Sequence, residues 1–386
     1  MRPTRPLALT ALALAASAAL AWAPRAHATP EMARAESLPC ARCHTSAPAL
    51  NAFGLGVLGR GDRLPGAPAH VLAGGVPPLT LSTEFGAALL AADTASAGGG
   101  RASRVTSEFR AWTLRARTQG RLAPGIAFDA EADVDSAGGT VRLPVLAARF
   151  DDLAGGALAV RVGRFEAGLP FLSPERSPLL SPFLAPVAIA AEGVELQGVR
   201  RGWTAAAGIT NSERTLANVG DNVTSFSRIE NQYVWAMREA RGQFAGARLL
   251  FGRQPSDISY HAWLQRLQLV IGASLGGERV RLQPAYVLDR LDDRPAPGIH
   301  QRQQYAVLEG VAQLDPAGTN TLALRVEHGH LTPTVLTAGE DHDREAARLA
   351  RWLAPGVRLA VEGSHTGDNL GRPHEVHVDA SVTLVF

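Results

Sequence analysis

The sequence predicts an all-β fold: an antiparallel membrane barrel of about sixteen strands that follows a small N-terminal segment. Segments of about ten residues alternate between apolar and polar side chains, which is typical of transmembrane strands. The connections between these segments are alternately long and short, as in barrels whose two ends face different compartments. After the N-terminus no run of eighteen apolar residues occurs, which argues against a bundle of transmembrane helices.

Composition excludes several other classes of protein. The chain has 386 residues, of which 46% are hydrophobic and 19% are charged, so it is not a disordered protein. The formal charge is +2 without a basic stripe, so nucleic acid is not an expected partner. The 39 glycines and 25 prolines fit a chain with many turns.

Residues 1–28 have the pattern of an export signal. Arg2 and Arg5 precede an apolar run at 7–23, and Ala26-His27-Ala28 matches an A-x-A cleavage site. We expect cleavage after Ala28, so that the mature protein is exported. An uncleaved membrane anchor is the alternative.

The two cysteines provide the most specific motif in the chain. Cys40 and Cys43 are followed by His44, which gives C-x-x-C-H, the attachment site of a c-type haem. Two thiols at this spacing can form thioethers with the two vinyl groups of one porphyrin, and His44 can then ligate the iron. A disulfide, favoured by export, and a zinc site, which needs two further ligands, are the alternatives. The motif predicts one covalent haem c bound by Cys40, Cys43 and His44, with His44 as the metal ligand.

The haem segment at 29–60 is predicted to form one or two helical turns, with Leu50, Phe53, Leu55 and Leu58 as its apolar contacts. So few residues cannot bury a haem alone, so a second surface is expected to cover it. Met32 and His70 are candidates for the sixth iron ligand, and the sequence favours neither of them. Residues 61–78 hold eight glycines or prolines and are predicted to be a linker or plug, and the barrel occupies 79–386.

The clearest strand runs from Ile126 to Asp135. Its apolar side chains share one face, and Asp129, Glu131, Asp133 and Asp135 share the other. A soluble sandwich would also alternate, but a barrel places the acidic face in a wet lumen. The acidic row is a candidate site for ferrous iron, with a hydrated, cation-selective wall as the alternative. The sixteen strands are predicted near 79–91, 104–118, 123–135, 141–150, 156–165, 191–200, 202–211, 231–240, 243–252, 260–273, 278–290, 302–314, 320–331, 345–353, 356–365 and 374–386.

The last predicted strand alternates regularly and ends on Phe386, which resembles the assembly signal of bacterial outer-membrane proteins. An ordinary final strand of a secreted β-domain is the alternative. With an even number of strands, both ends of the barrel lie on the side of the short turns, which is the periplasmic side.

One long connection, between 169 and 190, carries a proline at every fourth position, which excludes a regular helix through it. It is largely apolar and would be costly to leave in water. We expect it to fold into the barrel mouth and help close the lumen over the haem, or else to pack as a lid on other external loops. The prolines are Pro170, Pro174, Pro178, Pro182 and Pro186.

These features together resemble the fused monohaem cytochrome–porins, a family that includes outer-membrane iron oxidases. The resemblance is carried by the run from Pro39 to Thr45, by Leu50-Asn51-Ala52-Phe53-Gly54 and by the barrel pattern. It implies a haem inside the barrel, near the outside, that passes electrons inward from an extracellular donor to a periplasmic acceptor such as a soluble cytochrome. Only Cys40, Cys43 and His44 carry over residue by residue, and no iron-binding motif is present.

The function expected from the sequence is therefore electron transfer across the outer membrane, whose lipid surrounds the barrel, with ferrous iron as a candidate donor and ferrous-iron oxidation as a candidate activity. Two alternatives belong to other classes. A solute porin would carry the haem on a plug, and a secreted β-rich cytochrome would carry electrons without spanning a membrane.

Overall fold

The computed structural model describes residues 42–46, 48–59, 79–95, 101–135, 140–211, 229–255, 263–293, 300–332, 340–354, 356–368 and 375–385. The predicted export signal and linker lie outside the described residues, as do Met32, Cys40, His70 and Phe386.

The N-terminal part of the described chain is a hairpin followed by a short helix. Strands β1 (His44–Ser46) and β2 (Ala49–Leu50) pair antiparallel, with His44 opposite Leu50. Helix α1 (Ala52–Gly59) follows and supplies the two helical turns predicted for the segment. None of the helices in the described residues is long and apolar enough to cross a membrane.

The rest of the described chain forms one closed barrel of sixteen antiparallel strands, β3 to β18, which confirms the predicted fold class. Each strand pairs with the next along the chain, and β18 pairs with β3 to close the barrel, with Val385 opposite Ser82. Closure gives every strand two neighbours, so the barrel has no open edge. The strands are β3 (Leu79–Ala95), β4 (Arg101–Ala123), β5 (Ile126–Asp135), β6 (Thr140–Leu153), β7 (Leu158–Gly168), β8 (Ala188–Arg200), β9 (Trp203–Asn211), β10 (Ile229–Ala240), β11 (Gln243–Pro255), β12 (Trp263–Gly276), β13 (Val280–Asp293), β14 (His300–Gln313), β15 (Asn320–Leu331), β16 (Glu340–Ala354), β17 (Val357–Asp368) and β18 (Glu375–Val385).

The two faces of the wall differ as the alternation predicted. On β13, Val280 and Leu282 point outward and are about half exposed, whereas Arg281 and Asp289 point into the lumen and are buried. On β18 the outward valines alternate with buried polar residues in the same way. The apolar face is therefore available to lipid, and the polar face lines the lumen.

The connections also alternate as predicted, although several bounds differ. One end of the barrel carries only short turns, such as Arg201-Gly202 and Arg241-Gly242. Both residues of each of these pairs have positive φ, as type I′ hairpin turns require. The other end carries the long connections, including 169–187 and 212–228. We call these the short-turn end and the long-connection end.

Two predicted connections were wrong. The first predicted external loop, 92–103, is mostly strand, because β3 and β4 stay paired as far as Ala95 opposite Arg101. The predicted turn at Gln119–Leu122 lies within β4, and the chain turns instead at Pro124-Gly125. Gly125 has a φ of 77°, a left-handed conformation that glycine adopts without strain.

Candidate functional site

Residues 42–44 of the C-x-x-C-H motif and the Leu50–Gly54 motif fold into one unit that centres on Asn51. The backbone N–H of Asn51 donates to the carbonyl of Cys43 at 2.9 Å, and its side-chain amide donates to the carbonyl of Arg42 at 3.0 Å. Its side-chain oxygen accepts from the N–H of Gly54 at 3.0 Å and so caps the start of α1. Asn51 is completely buried, so these bonds join the backbone of the predicted haem motif to the helix.

Gly54 is required by this arrangement. A Cβ atom built at Gly54 would lie 2.1 Å from the carbonyl oxygen of Cys43, far closer than non-bonded atoms approach. On the other side of the unit, the guanidinium of Arg42 lies 4.3 Å above the centre of the Phe53 ring. The second motif is therefore a packing surface for the first. Sequence reasoning quoted it as a resemblance and did not foresee this contact.

The side chain of His44 is held in a defined orientation. Its Nδ1 lies 3.2 Å from the carbonyl oxygen of Pro48, and the ring has a further backbone hydrogen bond to Ala49. Burial lowers the pKa of His44 to about 4, and the positive charges of Arg117 and Arg176 act in the same direction. The imidazole is therefore neutral at pH 7, which is the form that ligates metals.

The described residues fit a c-type haem. A metal-ligating histidine commonly donates its second ring nitrogen to a backbone carbonyl, which fixes the ring, and Pro48 supplies such a carbonyl to His44. Cys43 directly precedes His44 and is partly exposed, so its thiol is accessible for attachment. Cys40, the other predicted attachment residue, lies outside the described residues.

The N-terminal unit lies inside the barrel at the short-turn end. Thr45 Oγ1 donates to the carbonyl of Glu278, in the turn between β12 and β13, at 3.2 Å. Gln313 donates to the carbonyl of Thr45 at 3.0 Å, and the buried, inward-facing Arg281 donates to the carbonyl of Leu50 at 3.3 Å. These bonds attach both strands of the small hairpin to the wall formed by β13 and β14.

The connection between β7 and β8, residues 169–187, folds into the lumen. We call it the inward loop. Its prolines allow only two short 3₁₀ turns, Pro170–Leu172 and Pro174–Arg176. Leu169, Phe171 and Leu172 are buried in one apolar cluster with Leu55 of α1. The expectation that this loop enters the barrel is confirmed, and the lid on external loops is wrong.

Wall side chains from the far side of the barrel hold the inward loop. Arg348 donates to the carbonyl of Pro178 at 2.8 Å, and Arg325 donates to the carbonyls of Ser181 and Pro182. In the other direction, loop N–H and hydroxyl groups donate to Glu309, Glu327 and Glu362. The loop therefore spans the lumen from β7 to the wall of β14–β17.

The acidic row on β5 is paired with arginines of β4, which corrects its interpretation as a cation-selective wall or iron site. Arg115 contacts Asp133 at 2.9 Å and Glu131 at 3.2 Å, and Arg117 contacts Asp129 at 3.1 Å. The β-sheet register places Arg115 directly opposite Asp133 and Arg117 directly opposite Glu131, so these two carboxylates each meet a cation. The side chain of Asp135 lies outside the described residues. In the described part of the chain, no three His, Cys, Asp or Glu side chains converge on a metal position.

Comparisons with known proteins bear on the barrel. No protein-family model and no curated protein sequence matches the chain. Solved structures do match. The outer-membrane channel DcaP of Acinetobacter baumannii aligns with a TM-score of 0.58 at 11% identity, over 83% of this chain and all of that one. An anion-selective porin from Comamonas acidovorans gives a TM-score of 0.57 at 11% identity, over 81% of this chain and all of that one. The trimer form of OmpT, an outer membrane protein of Vibrio cholerae, gives a TM-score of 0.56 at 9% identity, over 81% of this chain and all of that one.

The fold is that of an outer-membrane porin. At these identities the likeness establishes the fold alone. The porin fold and the apolar outer face together place the chain in the bacterial outer membrane, as predicted. They exclude the secreted soluble cytochrome. In such barrels the short turns face the periplasm and the long connections face outward. The N-terminal unit therefore lies at the periplasmic end of the lumen. This corrects the position near the outside that the family resemblance implied.

Replacing Gly54 with alanine tests the unit around Asn51. In Gly54→Ala the new methyl group clashes with the Cys43 carbonyl, so α1 must separate from the hairpin. Limited proteolysis of the purified barrel should cleave the N-terminal unit at least ten times faster than in the parent. The matched control is Gly277→Ala, whose Cβ would meet nothing within 4 Å. Equal cleavage rates for Gly54→Ala and this control would contradict the arrangement.

Replacing Arg325 with alanine tests the docking of the inward loop. The change removes hydrogen bonds to Ser177, Ser181 and Pro182 and the contact with the Phe183 ring. It also leaves Glu309 and Glu327, which Arg325 contacts at 3.3 and 3.0 Å, without this buried cation. Breaking a buried pair in this way costs about 3–5 kcal/mol. We expect the loop to leave the lumen and the single-channel conductance in planar bilayers to rise severalfold. Arg290→Ala, which removes an exposed arginine paired with Asp292 on the same strand, is the control. An unchanged conductance in Arg325→Ala would show that the loop does not obstruct the lumen.

Proposed function

We propose that this chain is an electron-transfer protein of the outer membrane, in which a haem c bound by Cys40, Cys43 and His44 lies in the barrel lumen. Electrons pass from a donor at the cell surface to a periplasmic acceptor such as a soluble cytochrome. The observation that carries the proposal is the position of the C-x-x-C-H unit. It lies within the lumen, bonded to Arg281 and Gln313 and packed on the inward loop, instead of below the barrel.

The residues of the unit have separate roles in this proposal. The thiols of Cys40 and Cys43 form the covalent attachment, and the imidazole of His44 provides the proximal ligand through Nε2 while Pro48 holds Nδ1. Asn51 fixes the backbone of Arg42 and Cys43 against α1, so this part of the motif keeps one orientation. A bound haem c supplies reversible one-electron chemistry at its iron.

The position inside the barrel matters because the hydrocarbon layer is about 30 Å thick. A redox group wholly below the membrane is too far from a donor outside the cell. A group inside the lumen shortens that distance, and the wall around it excludes lipid. The inward loop and α1 bury their apolar side chains against each other, which removes water from the region next to the unit.

The chemistry of the donor is set by the long-connection end and the remaining lumen. Because Arg115 and Arg117 form ion pairs with Asp129, Glu131 and Asp133, the described wall of β4 and β5 provides no row of unpaired carboxylates for ferrous iron. We propose ferrous iron as the first donor to test, on the family resemblance alone.

A solute channel is the second candidate function, and two observations favour it. The fold is shared with porins, one of which is named as anion-selective. A cavity also remains between the inward loop and the wall of β3, β4 and β18, and Glu84, Thr113, Leu180 and Asp379 are among the residues that line it. In this candidate the N-terminal unit narrows a channel and the haem is not an electron carrier.

Electron transfer across a membrane tests the proposal. The full-length protein, produced in cells that attach haem c, is reconstituted into liposomes that contain an oxidised soluble c-type cytochrome. A reductant tethered to a polymer too large for the lumen is added outside. We expect the enclosed cytochrome to be reduced at a rate proportional to the amount of protein, because electrons cross while the donor and acceptor do not. Ferrous iron is then compared as donor.

The matched control is Cys40→Ala with Cys43→Ala, which keeps the barrel and removes covalent attachment. Its liposomes should reduce the enclosed cytochrome no faster than protein-free liposomes, and its polypeptide should show no haem stain on a denaturing gel. Equal reduction by the parent and this variant would contradict electron transfer. Swelling of both in small sugars at equal rates, without reduction of the cytochrome, would instead establish the solute channel.

A further inference from the structure

Two histidines project from the outer wall of the barrel near its long-connection end. His328 and His330 lie two residues apart near the end of β15, and their side chains are 58% and 46% exposed. They share the outward face with Leu324 and Val326, which contact lipid farther down the strand. Glu327, between Val326 and His328, points into the lumen and is buried. Because β15 leads into the connection after Leu331, the pair lies at the end of the barrel that faces the cell exterior.

Each of these histidines is bonded to an aspartate of the neighbouring strand β16. His328 Nδ1 lies 2.7 Å from Asp343 Oδ1, and His330 Nδ1 lies 2.5 Å from Asp341 Oδ1. The register places the partners directly opposite one another, so the two pairs are built by the sheet itself. A carboxylate at Nδ1 fixes the proton on that nitrogen. This leaves Nε2, through its lone pair, as the atom of each ring that can bind a metal ion.

The spacing brings the two Nε2 atoms to one side of the strand. Residues two apart on a strand point to the same face, about 6.6 Å apart along the chain. Both rings bond to aspartates of β16, so both side chains lean toward that strand. Two imidazoles with carboxylates behind them have the chemistry of a histidine metal site with its outer ligand partners.

We propose that His328 and His330 chelate one divalent transition-metal ion through Nε2 on the cell-surface side of the barrel. Asp343 and Asp341 position the rings and do not bind the ion. Imidazole ligands favour Cu²⁺, Ni²⁺ and Zn²⁺ over Mg²⁺ and Ca²⁺. Water completes the coordination, since among the described residues no third protein ligand converges on the pair. This site is separate from the proposed haem unit, which lies at the opposite end of the lumen.

Titration of the purified full-length protein with Cu²⁺ tests the site, by calorimetry and by electron paramagnetic resonance. We expect one equivalent bound through two imidazole nitrogens. His328→Ala and His330→Ala should each weaken that binding at least tenfold. Asp343→Asn should weaken it about ten- to hundredfold, since loss of an outer partner typically has this effect. The C-x-x-C-H unit is present in every variant and contributes equally to all of them.

The matched control is His377→Ala, because His377 also pairs with an aspartate, Asp379 at 3.3 Å, but faces the lumen on β18 and has no histidine two residues away. It should bind Cu²⁺ as the parent does. All four substituted side chains leave the strand backbone unchanged, and the heat-dependent gel mobility of the barrel confirms folding. Equal affinity in the parent, His328→Ala and His330→Ala would overturn chelation, as would a spectrum with a single nitrogen ligand. An unchanged affinity in Asp343→Asn would overturn the positioning role.

Discussion

Buried arginines of the lumen wall fix the positions of the inward loop and the N-terminal unit inside this barrel. The inward loop contains a proline at every fourth position, so it forms no regular helix or sheet that could satisfy its carbonyl groups. Its two 3₁₀ turns account only for carbonyls near their own ends, such as those of Leu169 and Ser173. Arg325 and Arg348 donate to those carbonyls, while Glu309, Glu327 and Glu362 accept from the groups of the loop that can donate. Because both sets of wall residues alternate with outward apolar ones, the same strand periodicity that fits the barrel into lipid also holds the loop.

The N-terminal unit depends on this loop in turn. Leu55 of α1 is buried in one apolar cluster with Leu169 and Phe171, so the loop supplies part of the apolar surface on which the helix packs. Arg281 and Gln313 then fix the hairpin that carries His44 to the wall. The order of dependence runs from barrel to loop to unit, which explains how so short a segment acquires a buried setting that it cannot form alone.

The sequence predicted the barrel well because its signal is repeated in every strand. Sixteen barrel strands were expected and sixteen form the barrel in the described chain, with the alternation on β13 and β18 as foreseen. The β3–β4 hairpin is longer than predicted, because the small polar residues near Ala95 resemble a loop in composition and yet pair with β4.

What could not be predicted depends on register, which a single sequence does not reveal. The acids of β5 were read as a row of carboxylates, but the register sets Arg115 opposite Asp133 and turns the row into ion pairs. The alignment of His328 with Asp343 and of His330 with Asp341 depends on register in the same way. At the haem motif, the residue types were recognisable, whereas the contact of Gly54 with Cys43 needed the hairpin and the helix together.

The central claim is that the C-x-x-C-H unit holds a haem inside the lumen, and a density map of the full-length protein isolated from the outer membrane tests it most directly. The account predicts density for one porphyrin joined to Cys40 and Cys43, with its iron at His44 Nε2, enclosed by the wall and next to the inward loop. A map in which the lumen contains the loop alone, or in which Cys40 and Cys43 form a disulfide and no porphyrin is present, would contradict it.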